Sequence, residues 1–125
     1  MPQPAPLNLV ITTGEPAGIG PEVSLSAAVT FLAEQEDAQI TLLGASNLFS
    51  IPKQLNPNVL ARLKFENVDL QSPVQVGILN SDNAAYVIKL LDLALEGCIQ
   101  QRFDAMVTAP VQKSVINDAG IPFSG

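Results

Sequence analysis

Apolar residues gather in short runs along this chain, and most runs end in glycine, proline or threonine rather than in charge. Leu7–Ile11, closed by Thr12 and Thr13, predicts a strand over Leu7–Thr12. Beyond a glycine-rich segment, Val23, Ala27 and Phe31 return at i, i+4 spacing, with Ala28 and Leu32 offset by a turn. They predict a helix from Pro21 to about Gln35, and Pro21 suits a first helical turn, where its missing N–H leaves no bond unmade. Gln39–Leu43 predicts a second short strand ending at Gly44, and Ser46 a cap for a short helix through Phe49 and Ser50. Pro52, Pro57 and Pro73 punctuate Ile51–Pro73, where Leu63–Leu70 reads as an irregular strand. Val74–Leu79 reads as a further strand or an extended loop. The clearest periodicity follows: Ala84, Val87, Ile88, Leu91, Leu95, Cys98 and Ile99, broadened by Leu90 and Leu93. It predicts a helix from Ser81, as N-cap, to about Gln101, buried on more than one side. Ala105–Thr108 reads as a strand and Gln112–Asp118 as a short helix, closed by Gly120 with Pro122 beyond. Residues 1–6, with three prolines, read as a flexible leader to one α/β segment over 7–125.

Strand and helix patterns in alternation predict an α/β fold, an open and mostly parallel sheet with helices on both faces. In such sheets ligands bind beyond the carboxyl ends of the strands, which directs attention to the loops at 12–20 and 108–113. The first reads Thr12-Thr13-Gly14-Glu15-Pro16-Ala17-Gly18-Ile19-Gly20 before Pro21. Its glycines can take positive φ or admit close approach, and a strand-to-helix junction points backbone N–H groups at an anion. The spacing is neither G-x-G-x-x-G nor a P-loop, because no Lys-Ser or Lys-Thr follows the last glycine. The residues alone leave two readings open, a ligand loop and an ordinary strand-to-helix turn. Gly14 and Glu15 are candidates for the lip of a cleft, and Thr108 and Lys113 for its floor. Lys113 is the only base in either loop; it reads first as a solvated surface side chain and otherwise as a phosphate or carboxylate contact. If both strands are parallel, the two turns share one edge and lie within roughly 15 Å, given strands about 4.8 Å apart.

At 125 residues the chain is one domain or part of one, and 47% hydrophobic with 5% aromatic content suits aliphatic parallel strands. Twelve acidic against six basic residues, with no basic stripe, argue against nucleic acid. The apolar runs are short of a membrane span, and the N-terminus lacks the charge and apolar core of a signal peptide. A single Cys98 excludes an internal disulfide, fits a reducing cytoplasm, and on its apolar face reads as core filling. Histidine is absent. That excludes, within this chain, a Ser-His-Asp triad, a His/Cys zinc site and a histidine general base. No catalytic residue and no metal ligand is assigned.

GEPAGIGPE near the N-terminus and DAMVTAPVQKSVINDAGIPFSG at the C-terminus resemble the opening portion of 4-hydroxythreonine-4-phosphate dehydrogenases, in register over essentially the whole chain. The first motif is also similar to the GDGIGPE opening of isocitrate and isopropylmalate dehydrogenases, so the resemblance implies an incomplete part of that two-domain fold. It implies NAD- or NADP-dependent oxidation of 4-phosphonooxy-L-threonine, then decarboxylation, on the route to pyridoxal phosphate. The implied partners are a phosphorylated small-molecule substrate and a second copy in a cytoplasmic homodimer. The implied metal is divalent: zinc, magnesium or cobalt. The family continues past the position of Gly125 with His-Thr-Glu and carries its metal-ligand histidines later. The resemblance therefore implies an N-terminal portion, inactive alone, to which neither cofactor nor metal binds tightly. Gln112 and Ala109 depart from residues found in some relatives, which bears on substrate preference among phosphorylated four-carbon acids. The alternatives are a phosphate-binding or acyl-phosphate transferase-like α/β protein, and a non-catalytic truncated domain.

Overall fold

The computed structural model describes residues 6–75, 77–109 and 119–120. The leader at 1–5 and the helix expected over 112–118 lie outside them; Gly120, expected to close that helix, has φ +84°. Four parallel strands form one sheet: β1 (Leu7–Thr12), β2 (Ala38–Gly44), β3 (Leu63–Asn67) and β4 (Ala105–Thr108), in the order β3-β2-β1-β4. Helices α1 (Gly20–Glu34), α2 (Pro57–Arg62) and α3 (Ala84–Ile99) connect them. The central strands alternate between two cores. Ile11, Ile40, Leu42 and Leu63 pack with Leu25, Ala28 and Leu32 of α1 and Val59 of α2. Val10 and Leu43 pack on the opposite face with Tyr86, Val87, Leu90 and Ala94 of α3 and with Phe103. Helices thus cover both faces, the arrangement that parallel strands require to bury two apolar sides.

Both long helices sit rotated from the faces their apolar residues suggest. On α1, Ala28 and Leu32 are buried as expected, but Val23 is 48% exposed and Ala27 is exposed. The stripe that meets the sheet is Pro21, Ser24, Leu25, Ala28 and Leu32. Its small members let the helix approach the strands, and the serine disguises it in a hydrophobicity pattern. On α3 the inner stripe is Ala84, Val87, Leu90, Ala94 and Gly97, with Tyr86, while Leu95 and Ile99 are 51% and 73% exposed. Phe103 decides this rotation: its ring lies where a Cβ on Gly97 would stand. Cys98 is half-buried against the same core, consistent with a packing role.

Three local expectations are corrected. Pro57 begins α2 instead of breaking the chain, with Asn56 as the cap: Asn58 N donates to Asn56 Oδ1 at 2.8 Å. Ser81 opens a 3-10 turn, Ser81–Asn83, that is capped by Asn80, whose Oδ1 accepts from Asp82 N at 2.9 Å. Ala45, not Ser46, precedes the 3-10 turn Ser46–Leu48, and no side chain caps it. Where a further strand or extended loop is expected over 74–79, Gln75 and Ile78 form an antiparallel bridge, and Gly77 takes φ +79°.

Candidate functional site

The two turns singled out by the sequence lie side by side. β1 and β4 are adjacent and parallel, Thr12 stands opposite Thr108, and Ala109 N donates to Thr12 O at 2.9 Å. Gly14 and Glu15 leave the same carboxyl edge that Thr108 reaches. Thr108 is exposed, on the outermost strand among the described residues. Lys113 lies outside the described residues.

The glycine loop folds inward. Gly14 takes φ +72°, which only glycine adopts without strain, and a Cβ on Gly20 would collide with the Thr13 carbonyl. Gly18 N donates to Glu15 O at 3.1 Å and Ala17 N to Glu15 Oε1 at 3.3 Å, closing a turn around Glu15. Gly77 adds a bond from outside the loop, its N donating to Ala17 O at 2.9 Å. Glu15 is only 7% exposed, so it is part of the loop's interior and not an open lip. Burial pushes its carboxyl pKa up, and the Ala17 N–H opposes that in part. A carboxylate therefore already occupies one of the amides that an incoming anion would seek.

Behind the loop stands a residue that periodicity placed no role on. Tyr86 is fully buried, accepts a hydrogen bond from Ala45 N at 2.9 Å, and adjoins the Thr13 side chain. Its pKa is raised first by burial and further by the nearby Glu15 carboxylate, against the lowering effect of Ala45 N–H and Thr13. Thr13 Oγ1 donates to Leu43 O at 3.3 Å, while the buried Thr12 Oγ1 has no hydrogen-bond partner. At the carboxyl ends of β2 and β3 a shallow hollow of about 610 Å3 is lined by Ala45, Ser46, Asn47, Asn67, Asp69 and Leu70. Asn67 shapes it, accepting from Ser46 N at 2.8 Å and donating to Asp69 Oδ1 at 2.9 Å. Asparagines scattered over two strand ends and a loop carry no periodic signal, so the sequence did not expose this hollow.

The groups implied by the resemblance do not find complete seats here. Among the described residues no three His, Cys, Asp or Glu side chains converge to hold a metal ion. A dinucleotide's pyrophosphate placed on the glycine loop would face the Glu15 carboxylate. No helix among the described residues is long and apolar enough to cross a membrane.

An open parallel sheet, covered on both faces and carrying a tight glycine loop at its carboxyl edge, defines an α/β protein with a dehydrogenase-like fold. Residues 19–125 match the family model of the pyridoxal phosphate biosynthetic protein PdxA, and the chain belongs to that family. It is 43% identical over 126 residues to a 4-hydroxythreonine-4-phosphate dehydrogenase of Burkholderia vietnamiensis, an alignment covering 97% of this chain and 38% of that protein. The fold is similar to a crystal structure of a 4-hydroxythreonine-4-phosphate dehydrogenase from Burkholderia phymatum: TM-score 0.75, 19% identity, 96% of this chain and 41% of that one. It is also similar to a terephthalate 1,2-cis-dihydrodioldehydrogenase from Burkholderia xenovorans, with TM-score 0.70, 19% identity and 94% of this chain against 38% of that one. The chain spans about two fifths of the length of such relatives.

Proposed function

We propose that these residues are the N-terminal part of an NAD- or NADP-dependent dehydrogenase that oxidises 4-phosphonooxy-L-threonine and decarboxylates the product, supplying pyridoxal phosphate synthesis. The observation that carries this is the family match over residues 19–125. The reading extends to a cytoplasmic homodimer, and it assigns the nicotinamide cofactor and the divalent metal to residues outside the described part. Within that reading the β1–β4 edge is one wall of the cleft. Gly14 keeps the loop close to the sheet, the Glu15 carboxyl braces the turn by accepting from Ala17 N, and the exposed Thr108 hydroxyl offers a hydrogen bond to substrate. Lys113 supplies a positive charge for the phosphate group.

The test is turnover. Protein expressed from the complete reading frame is mixed with 4-phosphonooxy-L-threonine, NAD and magnesium, and both NAD reduction and carbon dioxide release are expected. The 125-residue chain alone should give neither. No reduction by the whole protein would overturn the dehydrogenase reading, and turnover by the 125 residues alone would overturn the claim that they are a part. A preference for a cis-dihydrodiol would replace the substrate while keeping the reaction class.

A further inference from the structure

Tyr86 is chemically out of place where it packs. It is fully buried in the apolar cluster that also holds Val10, Leu43, Val87 and Leu90, where phenylalanine would serve equally well as filling. The hydroxyl reaches past this apolar cluster to the first residue beyond each central strand. It accepts the Ala45 N–H after β2 and adjoins the Thr13 side chain after β1. The convergence is close: a Cβ on Gly44 would strike Thr13 Oγ1 and lie 3.2 Å from Tyr86 Oη. Thr13 is also tied to β2, its N and Oγ1 both donating to Leu43 O at 3.3 Å.

Thr13 is the hinge of the glycine loop at both ends. It immediately precedes Gly14, and its carbonyl is the atom against which Gly20, the first residue of α1, is pressed. Displacing Thr13 therefore moves the start of the loop, the start of the helix and Glu15 between them. Tyr86 can hold Thr13 because its own helix start is anchored. The buried Asn83 accepts from Gln71 N at 3.1 Å and Ser72 N at 2.9 Å through Oδ1. We propose that Tyr86 is a positioning residue that sets the glycine loop through Thr13, so that the loop meets substrate in a single geometry. This deepens the dehydrogenase reading and rests on it.

The decisive experiment pairs Tyr86→Phe with Thr13→Val in the whole enzyme. Each is expected to lower kcat about ten- to a hundredfold, the cost of misplacing a wall by about an ångström, with little change in KM. Because both act through one contact, the double variant should lose no more than the worse single one. Unchanged kcat in both variants, or losses that multiply, would overturn the proposal. A second measurement does not depend on turnover. In the whole protein, amide exchange at Thr13 and Gly18, whose N–H groups donate to Leu43 O and Glu15 O, should quicken in both variants. Unchanged exchange would refute the positioning role. If the unmodified enzyme fails to reduce NAD while exchange responds as expected, the dehydrogenase reading falls and the loop-setting role of Tyr86 stands.

Discussion

The two ends of the sheet are closed by different chemistry. At the amino end the fastenings are ionic and reach solvent. Asp104 exchanges bonds with Asn8, its Oδ2 accepting from Asn8 N at 2.8 Å and its own N donating to Asn8 O at 2.7 Å. Arg62, from α2, donates to Leu32 O at 2.8 Å, Gln35 O at 2.7 Å and Ala38 O at 3.0 Å. Those carbonyls end α1 and open β2, and α1 has no base of its own in its last turn, so Arg62 serves as its cap from a distance. At the carboxyl end of β1 the fastenings are buried: Thr13, a tyrosine, and a carboxyl whose pKa burial has raised. Full charges are tolerated where water can reach them, whereas the interior end uses neutral hydroxyls and one acid that burial favours in its protonated form. The amino end is thus tied by charged side chains near the surface, and the start of the glycine loop by buried hydroxyls.

The strongest way to break this contrast is at Gly20. An alanine there collides with the Thr13 backbone, so Gly20→Ala should cost about 3 kcal/mol or more, since backbone cannot move aside as a side chain can. Urea unfolding would show it; an unchanged midpoint would mean that the loop is loosely held after all. Arg62→Ala comes next. It removes a half-buried guanidinium serving three carbonyls, and a loss of about 2 kcal/mol is expected from charge-assisted bonds of this kind. The amino end would lose its cap while amide exchange in the glycine loop stays as it was. A response in the loop would show that the two ends are not independent.

The smallest effect concerns Glu15 and sharpens the carboxyl end. Its folded pKa is raised above the ordinary value of 4.5, so the folded state binds this proton more tightly than the unfolded chain. The resulting stabilisation is full below the unfolded value and is lost as pH rises through the folded one. Glu15→Gln keeps an acceptor for Ala17 N–H and removes the titration. Relative to the parent, its unfolding midpoint should therefore improve as pH rises from about 4 to about 7. A constant difference across that range would place the carboxyl in water.

Legibility differed from element to element for physical reasons. β1 and β4 were readable as unbroken aliphatic runs, although β4 is an exposed outer strand among the described residues, and the Thr-rich turns that follow them fell on one edge as the parallel arrangement demands. α2 was not, because Asn56-Pro57 is both a break signal and a cap with a first-turn proline, and only the packing of Val59 decides between them. The helices were found but their faces were not. Leucines and isoleucines surround α3, so its orientation was set by Phe103 against Gly97 and by Tyr86, neither of which periodicity singles out. At the site, Gly14 and Gly20 were visible as glycines that a tight loop needs. Tyr86, Thr13 and Asn67 were not, since their roles depend on partners 21 to 73 residues away in the chain.

By itself the sequence determined the alternation of strands and helices, the parallel sheet, the position of the glycine loop and, through two long motifs, the family. These are properties of local pattern, where each residue's preference acts on its near neighbours. Tertiary structure alone decided which side of each helix meets the sheet, that Glu15 turns inward, and that Tyr86 joins the ends of β1 and β2. Those outcomes depend on which distant surfaces exclude water together, a quantity that no single stretch of chain contains.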